Sequence, residues 1–537
     1  MNRAAMIANI REKQGAGTPW DVIIIGGGAT GAGVAVDAAS RGFSTLLLER
    51  EDFAKGTSSR STKLVHGGVR YLEQGNISLV MEALKERGLL RQNAPHLVHD
   101  VPFVVPNYTW WEAPFYGIGM KIYDLLAGKY GFGKSRILSR EETLERLPTL
   151  QPEGLKGGVV YHDGQFDDSR LLINLMQTAA DHGATVLNYF PVVSLRKDAD
   201  DFIDGVVAVD SETSERFDLA AKVVVNATGI FTDEIRRMAD PTASTMIAPS
   251  QGIHLVLDGS FLRGNTAVMV PHTSDGRVMF AIPWHGHTVV GTTDTPIEGP
   301  SYEPLPYEQE IEFVLETAAE YLSHAPTRAD VLSVYVGIRP LVKAGGAEGG
   351  KTSALSRDHT VQIDQSGLLT IVGGKWTTYR NMAQDTMNHA ITLGKLDDRP
   401  CVTHDLRIHG YSPDDPFKPL GVYGSDAANI AALAEETPEL ATRLHPALPY
   451  IAAEVVWAIR EEQARTVEDV LARRTRALFL NAHAAIAMAP EVGRLLAKEL
   501  GRDEAWATAE VARFNELGAQ YTLARIAPGN PPALSKD

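Results

Sequence analysis

The sequence holds a single cysteine, Cys401, in 537 residues. One thiol excludes an internal disulfide, a thiolate zinc cluster and a cysteine-ligated iron–sulfur cluster. It fits a reducing compartment, and a lone cysteine reads first as a small buried apolar residue. Basic charge is also scarce: 51 Lys and Arg face 67 Asp and Glu, a net charge of −16 with His neutral. A general nucleic-acid binder needs a basic field, so that class is excluded, although a few arginines in a local pocket can still grip an anion. No run of about 18 apolar residues is present, so no membrane-spanning helix is expected. The first residues, MNRAAMIANIREKQGAG, lack the apolar core of a secretory signal. Residues 1–19 read as an N-terminal tail or short surface helix. What remains is ordinary globular composition, 44% hydrophobic and 22% charged. A chain this long holds three or four domains at about 150 residues each, or one large cofactor module plus a smaller domain.

Asp21-Val-Ile-Ile-Ile25 is a short buried strand running into Gly26-Gly-Gly-Ala-Thr-Gly31 and a small-residue helix from Ala32 to Ser40. Ser44 to Glu49 forms a second buried strand. This is a βαβ unit with short connections, the mark of a parallel sheet. A Gly- and Ser-rich segment spans Gly56 to Gly68, and a helix follows from about Ile77 to Gln92. Aromatic residues crowd positions 107–133. A helix covers Ser169–His182, and Val223 to Gly229 is another buried strand. From Ile253 to Asp294 short alternating strands separated by turn residues predict an antiparallel sheet. A helix at about Glu308–Ser323 interrupts it, and Val331–Val336 resumes a strand. Leu368–Gly374 is a last buried strand, entering a helix from Thr377 to about Thr392. Past Cys401 the chain turns helical and Ala-rich, with a capping-box pattern, Thr466-Val-Glu-Asp469, opening one helix. A domain boundary falls near 400.

Gly26-x-Gly28-x-x-Gly31 follows a strand and opens a helix. The first glycine makes the tight turn, the second admits a pyrophosphate to the backbone, and the third lets helix pack on strand. The pyrophosphate then sits at the positive helix end. Glu49 closes the next strand 18 residues after Gly31, where an acid binds a ribose hydroxyl. Two later segments favour FAD over NAD. Val225-Asn-Ala-Thr-Gly229 ends a strand in small residues that let backbone pass close to a dinucleotide. Gly373-Gly-Lys-Trp-Thr-Thr378 is a second strand-to-helix glycine turn, whose helix end can face the flavin edge where negative charge develops.

On these stretches, together with Thr57–Leu72 (TSSRSTKLVHGGVRYL), Gly291–Asp294, Gly337–Leu341, Gly373–Arg380 and Thr466–Thr475, the sequence resembles the FAD-dependent glycerol-3-phosphate dehydrogenases, the respiratory, quinone-linked enzymes of bacteria and mitochondria. The run STKLVHGGVRYL is highly specific. The glycine motif is shared by many flavoproteins. The resemblance implies an α/β fold: a Rossmann-like FAD-binding domain of the glutathione-reductase and D-amino-acid-oxidase type, an antiparallel-sheet substrate domain and a C-terminal helical domain. The oxidoreductase module then spans 20–400, with FAD-binding parts at about 20–105, 150–240 and 335–400 and a substrate sheet at about 240–335. The helical domain spans 401–537. The implied FAD contacts are Gly26, Gly27, Gly28, Thr30, Gly31, Glu49 and Arg50, then Thr57, Ser58, Ser59, Ser61, Lys63, Leu64, His66, Gly67 and Gly68. Ala227, Thr228, Gly229, Thr293 and Asp294 follow, and Gly373, Gly374, Lys375, Trp376 and Thr377 complete the set. No covalent flavinylation pattern is evident, so noncovalent FAD is expected. The chain shows no EF-hand loop and no long insertion of the related oxidases.

The implied substrate, sn-glycerol 3-phosphate, carries a phosphomonoester that needs cations in a fork geometry. By resemblance Arg70, Arg339 and Lys375 supply them, with Tyr71 beside Arg70. A base must take the C2 hydroxyl proton. His254 matches a substrate-site histidine of the family, and His66, in the glycine segment, is its rival and can instead contact the cofactor. Arg339 and Lys375 join these histidines in the catalytic set. No metal is expected. Electrons must leave to a diffusible acceptor, and the family uses membrane ubiquinone. Segment 107–136 suits a bilayer surface. Phe115, Ile118, Ile122, Leu125 and Leu126 share one helical face, and four basic residues outnumber two acidic ones. A core-packed helix or a homodimer contact is the competing reading. The expected location is cytoplasmic, peripheral on the cytoplasmic face of the inner membrane. Three other activities stay open: an oxidase that uses oxygen, an amine or amino-acid oxidoreductase, and a non-catalytic binding protein on the same fold.

Overall fold

The computed structural model describes residues 1–69, 76–271, 273, 277–343 and 358–523. Arg70 and Tyr71 lie outside the described residues.

Trp20–Ile25 sits at the centre of the first sheet, paired in parallel with Arg216–Asn226 on one side and Thr45–Leu48 on the other. Thr185–Leu187 and Leu369–Gly373 extend it in parallel, and His359–Ile363 adds an antiparallel edge. The central strands read as continuous Val, Ile and Leu because both faces are covered. On one face lie Ala29–Ser40, Asp168–Asp181 and Tyr379–Leu393, packing Val34, Leu172 and Met387 onto Val22, Ile24 and Leu47. On the other, Ile23, Ile25 and Leu46 meet Ile10, Phe190 and Phe217. Ile10 belongs to Arg3–Gly15, so the expected tail is a docked helix. Arg3 secures it by donating to the Asn188 carbonyl at 2.7 Å and to Asp210 at 2.9 Å.

The second sheet is antiparallel apart from one parallel pair, Ala267–Val270 on Val98–Asn107. At its heart Ile247–Asp258 lies between Val331–Val342 and His287–Gly291. One correction concerns the domain parts. Val98–Asn107 and Gly157–Phe166, expected among the FAD-binding segments, pair with each other in this second sheet. Most residues of both strands are buried, and their place in the second sheet is decided by their pairing.

Beyond residue 400 the described chain is mainly helical, with a short hairpin of Arg443–His445 and Leu448–Ile451. Val470, Leu478, Ala485 and Leu496 join a core that also contains Trp284, Val289 and Tyr335 of the second sheet. Thr466 and Asp469 exchange the reciprocal capping bonds the sequence suggests, but the element they open is one π-helical turn, Asp469–Arg474. Arg473 and Arg474 are buried against Asp52 at 2.5 Å, tying this region to the loop after Thr45–Leu48. Glu112–Ala127 buries Tyr116, Met120 and Tyr123, while Phe115, Ile118, Ile122 and Leu125 are 51, 64, 45 and 81% exposed. Leu126 turns toward the core. Among the described residues no helix is long and apolar enough to cross a membrane.

Candidate active site

The strand Trp20–Ile25 delivers the chain into a turn at Gly26, whose φ of +110° is open to glycine. A Cβ there would stand 2.7 Å from the Ala227 carbonyl oxygen, and one at Gly31 would collide with the Gly26 carbonyl. The two glycines therefore let the helix start hard against the sheet. Its first turn, capped at Gly28 without a side-chain bond, opens into a cleft at the carboxyl ends of the strands. The cleft wall carries Gly26, Gly28, Thr30, Arg50, Ala227 and Gly229.

Glu49 also lines it, accepting from Gly27 N at 2.6 Å and Glu51 N at 2.8 Å. Burial pushes its carboxyl up, against the pull of those amides. Arg50 donates to the Tyr302 hydroxyl at 3.1 Å and to Glu234 at 3.0 Å, and lies 4.8 Å from the Phe231 ring centre.

Two glycine-rich segments close the far end. Trp376 Nε1 donates to the Ser58 carbonyl at 2.9 Å, and His66 N donates to Thr377 Oγ1 at 3.2 Å. Thr57 Oγ1 donates to the Ile338 carbonyl at 2.6 Å, drawing in the strand that carries Arg339. The turn before Lys375 packs on Val342, three residues past Arg339.

His254 is buried on the central strand of the second sheet, opposite Gly291 and Tyr335. Its ring stacks on Tyr335 with centres 4.8 Å apart and planes at 14°. Nε2 shares a hydrogen with Thr62 Oγ1 at 2.9 Å, while Nδ1 is enclosed without a partner among the described residues. Burial lowers its pKa well below 6.5, and the Lys63 and Arg339 cations lower it further. The ring is thus neutral at ordinary pH and able to accept a proton. Arg339 reaches across the same strands, donating to the Thr293 carbonyl at 3.0 Å and to Asp294 at 3.2 Å. Among the described residues no group of three or more His, Cys, Asp or Glu is arranged to hold a metal ion.

Residues 21–380 match the family model for FAD dependent oxidoreductases, and residues 366–507 match that for the C-terminal domain of alpha-glycerophosphate oxidase. The mitochondrial glycerol-3-phosphate dehydrogenase of Homo sapiens is 42% identical over 520 residues, which is 90% of this chain and 71% of that one. The mitochondrial enzyme of Arabidopsis thaliana is 42% identical over 560 residues, 96% of this chain and 88% of that one. The crystal structure of the glycerol-3-phosphate dehydrogenase from Bacillus halodurans complexed with FAD covers 98% of both chains at 30% identity, with a TM-score of 0.79. The chain belongs to the family of FAD-dependent glycerol-3-phosphate dehydrogenases. A glycine oxidase from Geobacillus kaustophilus, 21% identical with a TM-score of 0.52, shares the fold.

The cofactor of these dehydrogenases is FAD, and the cleft fits it. The N-terminus of Ala29–Ser40 faces the cleft for a pyrophosphate, its Ala29 N donating to Ser58 Oγ at 2.9 Å, and the Glu49 carboxylate stands beside it for a ribose. Of the residues named from the sequence, Gly26, Gly28, Thr30, Glu49, Arg50, Thr57, Ser58, Ala227, Thr228 and Gly229 line this cleft. Others make bonds within the protein. The Lys63 side chain is fully enclosed in a buried ion pair, its ammonium 2.8 Å from Asp168 and 2.6 Å from the Ser59 carbonyl. Ser61 Oγ donates to the same Asp168 at 2.7 Å, and buried Ser59 donates to the Ala54 carbonyl at 2.9 Å. Leu64 is a buried core residue on a strand facing Gln165. Thr293 and Asp294 belong to the Arg339 side: Thr293 Oγ1 donates to Glu310 at 2.8 Å, and Asp294 also accepts from Ser250. The sequence reading missed Thr62, Tyr335 and Phe231. Thr62 sat inside the most specific run, but a threonine there carries no local sign of a histidine 192 residues away.

Proposed function

We propose that this dehydrogenase oxidises sn-glycerol 3-phosphate to dihydroxyacetone phosphate and passes the electrons to membrane ubiquinone. The observation that carries the reading is a buried, neutral His254 on the same pair of strands as Arg339. Arg339, with Lys375, binds the phosphate and orients C2 of the substrate. The guanidinium presents a fork, and its bonds to Asp294 and Thr293 hold that fork in place. His254 takes the C2 hydroxyl proton, and Thr62, bonded to Nε2, and Tyr335, stacked beneath the ring, fix its orientation. Noncovalently bound FAD supplies the two-electron acceptor for this oxidation. The exposed face of Glu112–Ala127, with Trp110 83% exposed beside it, seats the enzyme on the cytoplasmic face of the inner membrane, where quinone is dissolved.

The test is an anaerobic absorbance titration of the flavin-loaded protein with sn-glycerol 3-phosphate, then with a ubiquinone analogue. The band near about 450 nm bleaches with substrate and recovers with quinone. Flavin that substrate does not bleach overturns the substrate. Bleaching that only oxygen reverses, with peroxide formed in step, makes the enzyme an oxidase.

A further inference from the structure

A segment without regular structure, residues 297–306, crosses from the second sheet to the FAD cleft. Both ends are fastened to Ile247–Asp258. Ile297 N donates to the Pro249 carbonyl at 3.1 Å, and Gln251 Nε2 donates to the Leu305 carbonyl at 3.2 Å. The stretch Pro300-Ser-Tyr-Glu-Pro304-Leu-Pro306 carries a proline at both ends and one between them. Each proline fixes its own φ, so this stretch is stiff and moves as a unit. Gly299 precedes it in open space, where the backbone can turn without displacing a neighbour.

The two residues at its middle do different things. Tyr302 lines the FAD cleft. Its ring lies against Phe231 with centres 4.4 Å apart, and its hydroxyl accepts from Arg50 Nε at 3.1 Å. Phe231 and Arg50 line the cleft too, so Tyr302 closes against the cofactor module on the wall that carries Glu49. Glu303 does not line the cleft. One of its carboxylate oxygens accepts from buried Arg60 at 2.8 Å, and the other accepts from the Tyr521 hydroxyl at 2.9 Å. Burial works against the Arg60 charge, but Glu303 and Tyr521 more than offset it and raise the pKa. Arg60 directly follows the turn Thr57–Ser59 beside the cleft, and Tyr521 ends the turn Ala519–Tyr521 of the C-terminal region. One carboxylate therefore ties three parts of the molecule together. A stiff segment held at Glu303 cannot carry the adjacent Tyr302 away from Arg50 and Phe231.

We infer that residues 297–306 form a latch on the FAD cleft. Tyr302 is its closing face and Glu303 its catch, and FAD enters or leaves only when Glu303 has released Arg60 and Tyr521. The C-terminal region thereby governs cofactor exchange through Tyr521, a residue that does not line the cleft. A latch sets the rate in both directions, because the same opening precedes entry and exit. A side chain that only touches bound FAD changes the rate of exit and leaves that of entry alone.

The test follows FAD by its fluorescence change on binding. Release is read after dilution of the flavin-loaded enzyme, and rebinding after FAD is added to the full chain stripped of flavin. Glu303→Gln and Tyr521→Phe each speed release and rebinding alike, on the order of tenfold for one weakened or lost charge-assisted bond. The dissociation constant then moves by less than about threefold, since both rates change together. Tyr302→Ala, which has no closing face, rebinds FAD faster still, and rebinding at the wild-type rate removes Tyr302 from the latch. In Tyr521→Phe, kcat with a soluble acceptor stays unchanged, because Tyr521 lies outside the active site. Wild-type rates in both Glu303→Gln and Tyr521→Phe overturn the latch. Faster release with unchanged rebinding overturns it as well, and makes Glu303 a stabiliser of the bound form alone. If Glu303→Gln folds poorly beside the buried Arg60, Tyr521→Phe decides, since it removes one hydroxyl and leaves the ion pair.

Discussion

Replacing Lys63 by methionine removes a buried cation from beside the proposed base, and the pH profile should report it. Lys63 and His254 share Tyr335. The ring centres of His254 and Tyr335 are 4.8 Å apart, and Lys63 Nζ lies 5.1 Å from the latter, which bounds the separation at 9.9 Å. At about 10 Å and an effective dielectric of about 20, one unit charge changes the energy of a second by about 1.7 kcal/mol, or about one pH unit. Lys63 is among the causes that hold His254 below its ordinary value. Its loss therefore raises the His254 pKa. Proton abstraction needs neutral His254, so the acid limb of kcat/KM moves to higher pH by about one unit. Breaking a buried pair from one side also costs about 3–5 kcal/mol of stability, so the variant is assayed well below its melting temperature and at known flavin content. The assay is initial-rate kinetics from acid to neutral pH with a soluble acceptor. KM well above the limb should be unchanged, because Lys63 does not reach the substrate. An acid limb that stays in place in a folded, flavin-loaded Lys63→Met refutes the electrostatic link between Lys63 and His254.

Arg339→Ala should lower kcat/KM by about 2–4 kcal/mol of lost charge-assisted bonding, chiefly through KM, and steady-state kinetics would show whether a normal substrate response removes it from the phosphate site. Gly31→Ala should force the helix off the Gly26 carbonyl and reduce FAD occupancy, read as flavin absorbance per protein after purification; full occupancy contradicts the cradle argument. His409 is bonded to Asp181 at 2.7 Å and Asp426 at 2.9 Å, and these carboxylates raise its pKa to about 9 against the lowering effect of burial. Its stabilisation is present in full below the unfolded value near 6.5 and is lost as pH rises through about 9. Solvent screening brings the loss to about 1–2 kcal/mol. Urea denaturation at several pH values should show this slope in the wild type and a flatter one in His409→Gln.

The dinucleotide cradle was legible in the sequence because every part of it lies within one βαβ unit. A strand of Ile and Val, a turn only glycine can make, and a small-residue helix are dictated by sterics over about 30 residues. Glu49 follows from the same unit, since the length of the second strand places it beside the turn. The partner of the buried Arg473 was not legible in the sequence. Asp52 is 421 residues away from Arg473.

Only the tertiary structure decided the rest. The strands 98–107 and 157–166 are mostly buried, and pairing with each other assigned them to the second sheet. Lys63 reads as an available cation beside a cofactor segment until Asp168, 105 residues on, encloses it. Thr62 and Tyr335 come against His254, and Lys63 comes near it, only in the folded chain. Local sequence determines which way the backbone turns, because that depends on a residue and its immediate neighbours. The protonation and aim of a buried side chain depend on charges and donors brought from distant positions, and these exist only after folding.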